Sequence, residues 1–95
     1  MKIFDKAQWH IDAGEDVDVV VGKFRSVYTF LEKNELLSED GKELLELGID
    51  SSISLNEQTV TENGSIFLDK CYDDVINYGA DLIADELEKR YRKFK

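Results

Sequence analysis

Proline is absent from this 95-residue sequence, cysteine and histidine occur once each, and no run of apolar side chains exceeds three residues, as at Val19–Val21. The lone Cys71 excludes an internal disulfide and suits a reducing compartment. Runs of three fall far short of the roughly 20 apolar residues that a membrane-crossing helix needs. The residues after Met1, Lys2-Ile3-Phe4-Asp5, form neither an apolar signal core nor a small-residue cleavage site. The expectation is a cytoplasmic protein that does not enter a membrane.

Positive charge is scarce as well. Twelve basic side chains stand against 21 acidic ones, a net charge of −9. Such a balance disfavours nucleic acid or anionic lipid as a partner over most of the surface. The cations that exist are concentrated. Lys89, Arg90, Arg92, Lys93 and Lys95 sit among the last seven residues, which carry no acid, whereas residues 1–88 hold seven cations and all 21 acids. Cations gathered at the C-terminal end of a helix are favoured by its dipole. The competing reading is a docking tail for acidic partners, RNA included, with Tyr91 and Phe94 interleaved as stacking residues.

Apolar residues make up 42% of the chain, an ordinary globular content. The length predicts one domain spanning residues 1–95. A chain this short hides only about 60–65% of its surface on folding, so assembly with another copy would add buried area. The strongest pattern runs from Asp16 to Asn34, where Val17, Val20, Val21, Phe24, Val27, Tyr28 and Leu31 recur in steps of three and four. That spacing predicts a central amphipathic helix. Gly22 inside it suggests close approach of a neighbouring helix, and Asn34 suits a left-handed C-terminal cap.

Flanking segments follow the same logic. In residues 1–14, the Trp9, Ile11 alternation predicts an extended arm, held down by Phe4, Trp9 and His10. Ser38 caps a short helix that ends at Gly48 and buries Leu44, Leu45 and Leu47. Residues 52–55 alternate with period two, which allows a short strand pairing with Lys2–Phe4. Thr61 caps a third helix with Ile66, Phe67, Cys71, Val75 and Tyr78 inward, and the segment from Ala80, either its bent continuation past Gly79 or, the preferred reading, a fourth helix, buries Leu82, Ile83, Leu87 and Tyr91. The expected fold is mainly α: three or four helices around one core, an extended N-terminal arm, and room for one short strand pair.

Chemistry is thinly marked. His10 adjoins the only tryptophan, and the carboxylates nearest in sequence are Asp5 and Asp12, so Trp9, His10, Asp5 and Asp12 form the candidate partner- or ligand-binding set. Asp12, Glu15, Asp16 and Asp18 cluster around Gly14 without EF-hand spacing and read as a solvated helix start. With no second cysteine, Cys71 reads as a small buried hydrophobe. No nucleophile with an activating base, phosphate loop or metal-ligand set is identifiable, so no cofactor, metal or enzymatic role is expected.

The opening Phe4-Asp5-Lys6-Ala7-Gln8-Trp9-His10 resembles the start of a family of small bacterial proteins of unknown function, which begin with an aromatic-Asp-x-Ala-x-Trp-His signature. Asn34–Ser38, Thr61–Phe67 and Leu87–Tyr91 are similar to its later blocks, while DVDVVV is an unusual version of its central helix. The resemblance implies no activity. It implies that Trp9 and His10 are either a shared site or a structural clasp. Three expectations follow: an interaction module of immunity or regulatory type for a basic protein partner, or for itself as a homo-oligomer; a small-molecule or metal site near Trp9 and His10; and nucleic-acid contact through Lys89, Arg90, Arg92 and Lys93.

Overall fold

The central pattern from Asp16 to Asn34 folds as expected. In the computed structural model, which describes residues 1–95, it is the 17-residue helix α2 (Val17–Lys33). Numbered with it in chain order, the other elements are β1 (Ile3–Lys6), α1 (Ala7–Asp12), α3 (Glu39–Leu47), β2 (Ser54–Asn56), α4 (Glu62–Val75) and α5 (Ala80–Phe94). The fold is mainly α with one short antiparallel strand pair. Val20, Phe24, Val27, Tyr28 and Leu31 of α2 are buried, and α2 packs against α1, α3 and α5.

Capping chemistry sets most helix starts. The Asp16 carboxylate accepts from the N–H groups of Asp18 and Val19, Ser38 from that of Gly41, and Thr61 from that of Gly64. Each side chain satisfies donors that the first helical turn leaves free. At the other end of α2, Asn34 departs from the expectation. Its φ is −100°, and it is Glu35 that takes the left-handed conformation, at φ 59°. Asn34 instead uses its amide to donate to the Phe30 carbonyl and to Glu88 of α5, at 2.9 and 3.0 Å.

The N-terminal arm is extended only through Lys6. Trp9 and Ile11, read as alternating strand residues, belong to α1, a single short helix that adds a fifth to the three or four expected. β1 pairs with β2 in the register Ile3↔Asn56, Asp5↔Leu55 and Lys6↔Ser54. Two steps along β1 therefore match one along β2, which makes Phe4 a bulge. Bulges re-aim side chains, and here the neighbours Phe4 and Asp5 are both buried.

Other inward assignments fail on α3, α4 and α5. Leu44 and Leu47 of α3, Ile66 of α4, Tyr78 beyond it and Leu82 of α5 are exposed, Leu47 to 77%. α3 meets the core through Leu45, partly buried as expected, and through Gly41, where a methyl group would run into the carbonyl oxygen of Thr59 and the side chain of Leu37. Gly22 has the opposite character: nothing lies within 4 Å of where a Cβ would be, so it does not mark a close helix approach. Tyr91 and Phe94 pack partly buried against the core, their rings 5.2 and 5.3 Å from that of Phe67.

Candidate functional site

Three places in the fold bring chemistry-bearing side chains together. The first is buried. The bulge at Phe4 sends the Asp5 carboxylate into the interior, where it has no solvent exposure. It accepts from the Lys6 backbone N–H at 2.9 Å and from the Tyr72 hydroxyl at 2.8 Å. His10 Nε2 lies 2.8 Å from its Oδ1, and His10 Nδ1 lies 2.8 Å from Glu15 Oε2. Lys23 Nζ is 3.8 Å from Asp5 Oδ2 and donates to the Ile76 carbonyl. Five side chains from β1, α1, the α1–α2 turn, α2 and α4 thus share one charge cluster.

Its electrostatics follow from burial. Removal from water pushes the Lys23 ammonium below its ordinary range, and the charges of Asp5 and Glu15 partly oppose that. Desolvation, together with the Asp5 charge and hydrogen bond, holds the Tyr72 phenol well above the usual tyrosine range. Burying a carboxylate alone would be prohibitive; hydrogen bonds and a nearby cation make it tolerable. Asp5 and His10 of the candidate set are therefore joined. Trp9 and Asp12 are not part of the cluster. Trp9 points outward, half exposed, with the Lys6 ammonium 5.9 Å from its ring, and Asp12 accepts from the Gln8 amide on the surface. Trp9 therefore does not hold the segment down, and Glu15 takes the place beside His10 that Asp12 was expected to fill. Neither Trp9 nor His10 lines any of the five surface clefts.

The second place is a cleft of about 510 Å³ between α4 and α5. Helical spacing builds it. Residues 67, 70 and 71 of α4 and residues 86, 89, 90, 93 and 94 of α5 each form one stripe, and the two stripes face each other. Phe67, Cys71 and Phe94 supply its apolar wall; Lys70, Lys89, Arg90 and Lys93 supply four cations against the single carboxylate of Glu86. Lys89 and Arg90 are engaged with Glu86, and Arg90 also reaches Asp74 at 3.2 Å. Burial pushes the Cys71 thiol up to about 11, so it stays protonated at neutral pH. Of the tail residues, Arg92 alone among Lys89, Arg90, Arg92 and Lys93 stands outside the cleft.

The third place is the outer face of α3. Leu44 and Leu47, one turn apart, are exposed and line two adjoining shallow clefts with Asn56 and Thr59. Asp40, Glu43 and Asp50 edge those clefts. Between Lys33 and Lys70 the chain carries nine carboxylates and one cation, Lys42, which pairs with Glu39. The apolar side chains that α3 leaves uncovered thus lie within an acidic stretch.

No group of three or more histidine, cysteine or carboxylate side chains is placed to hold a metal ion. No helix is long and apolar enough to cross a membrane. Compared with protein families, curated proteins and solved structures, the chain matches none.

Proposed function

We propose that this chain is a protein-interaction module, of immunity or regulatory type, that docks a basic protein on the outer face of α3. The likeness of Phe4–His10 to the opening of small bacterial proteins of unknown function belongs to the same reading. The observation that carries it is the exposure of Leu44 and Leu47 in a stretch that holds nine carboxylates and one cation between Lys33 and Lys70. Apolar side chains gain about 1.5–3 kcal/mol each when fully buried, and surrounding carboxylates select a partner whose own apolar contacts are ringed by Lys and Arg. The same charge speeds encounter with a positive surface. In this reading the Asp5 cluster is a structural clasp that fixes β1, α1 and α2 to α4, and His10 has no catalytic role.

The test starts with capture of partners from a lysate of the source organism at low and moderate salt. The identified partner is then purified and titrated against the wild type and a Leu44→Ser/Leu47→Ser variant. A basic partner is expected, with affinity that falls steeply as salt rises and is lost in the variant. Leu47 is 77% exposed and its change should be near neutral, while Leu44 keeps part of its side chain packed, so the variant should lose about 1 kcal/mol and stay folded. Salt-insensitive binding, or full binding by the variant, would sink this reading.

A further inference from the structure

The basic cleft between α4 and α5 is unexplained by an acidic docking module. We infer that it is a binding site for a small phosphorylated ligand with a flat aromatic body. Its volume, about 510 Å³, falls within the usual range for ligand pockets. Three features set the chemistry. First, its four cations exceed its one lining carboxylate by three charges, and by two when Asp74 beside Arg90 is counted, in a protein whose net charge is −9. That surplus suits a dianion better than a monocarboxylate.

Second, the cations are not all engaged. Lys70 and Lys93 are exposed and form no ion pair within the chain, whereas Arg90 is held by Glu86 and Asp74. An oxyanion seated in the cleft would give these two free ammonium groups a partner. Lysine ammonium groups bind phosphate as point charges. Third, one wall is aromatic. The Phe67 and Phe94 rings meet at 62° with centroids 5.3 Å apart, and the Lys70 ammonium lies 5.6 Å from the Phe94 centroid. A ring entering beside Phe94 gains offset stacking, which is tolerant of ring identity.

Nuclear magnetic resonance titration of the full chain tests this with four probes: adenosine monophosphate, phenyl phosphate, inorganic phosphate and adenosine. Saturable shifts at the amides of Phe67, Cys71 and Phe94 are expected with the first two, weaker ones with inorganic phosphate, and none with adenosine. A preference for the nucleotide over phenyl phosphate would identify a nucleotide site, and equal affinity a site for aryl phosphates in general. Lys70→Gln and Lys93→Gln change exposed residues without ion pairs, and each should weaken binding about tenfold, one charge-assisted contact. Three results overturn the proposal: no saturable shift with any probe, equal response to inorganic and phenyl phosphate spread along α5, or unchanged affinity in both variants. None of these bears on the α3 face, so the two readings stand or fall separately.

Discussion

The Tyr72 hydroxyl donates a 2.8 Å hydrogen bond to the Asp5 carboxylate across 67 residues of sequence. It joins the bulged strand β1 to the inner face of α4, and the same carboxylate also faces His10 and Lys23. The buried acid is thus the hub through which the first element is held to the rest.

Removing the hub should be severe. Asp5→Ala strands His10, Tyr72 and the buried Lys23, and breaking a buried charge cluster costs about 3–5 kcal/mol. Tyr72→Phe keeps the ring and removes one donor, so about 1–3 kcal/mol is expected. The double variant should lose less than the sum, because the two groups share one bond. Urea unfolding midpoints measure all three. A loss under about 1 kcal/mol for Asp5→Ala would show that the cluster does not hold the fold together.

The two helical glycines should respond in opposite directions to alanine. At Gly41 the added methyl meets the Thr59 carbonyl oxygen and must push α3 off the β2–α4 connection, which should cost about 1–3 kcal/mol. At Gly22 the space is open, so Gly22→Ala should stabilise by about 1 kcal/mol through helix propensity. Thermal melts of both variants check the pair, and a stabilised Gly41→Ala would contradict the packing described for α3.

Stability should fall on the alkaline side. The Cys71 thiol ionises near 9 when unperturbed and is pushed up to about 11 by burial. A group whose folded value is raised contributes stability that is whole below its unfolded value and is lost as pH climbs toward the folded one. Between pH 9 and 11 the unfolded chain therefore gives up a proton that the folded chain keeps. The raised phenols of Tyr28 and Tyr72 extend the loss above pH 10. Lys23, lowered by burial, works in the opposite direction as pH approaches 10.5. Denaturation across this range should show a shallower decline in Cys71→Ala than in the wild type. Parallel slopes would mean that the thiol is not buried in the folded chain.

Helix positions were largely legible because caps are local chemistry. Asp16, Ser38, Thr61 and Gly48 mark the ends of α2, α3 and α4 by residue type alone. α1 escaped notice because its N-cap, Lys6, makes no capping hydrogen bond, so nothing in the residue types signals the change from strand to helix. That miss carried over to the site. Within a helix, Asp12 lies two positions from His10 and points away from it, leaving Asp5 and Glu15, outside either end of α1, as its neighbours. Lys23 and Tyr72 were missed although the signal exists: each sits on the apolar stripe of its helix, where a polar group needs a partner. Leu44, Leu47, Ile66 and Leu82 show the reverse limit. Helical spacing says which residues share a face, and only tertiary packing says whether that face is covered.

The pairing of Ile3 with Asn56 has a kinetic consequence. Closing it encloses more than fifty residues, so the entropy of ring closure opposes β1 docking far more than it opposes the neighbouring contact of α2 with α3. Of the partners of Asp5, His10 and Lys23 are near it in sequence and can be met early, whereas the Tyr72 hydroxyl can be met only once α4 has docked. The bulged strand is therefore expected to dock after the helices, and low φ-values for substitutions in β1 would check that order.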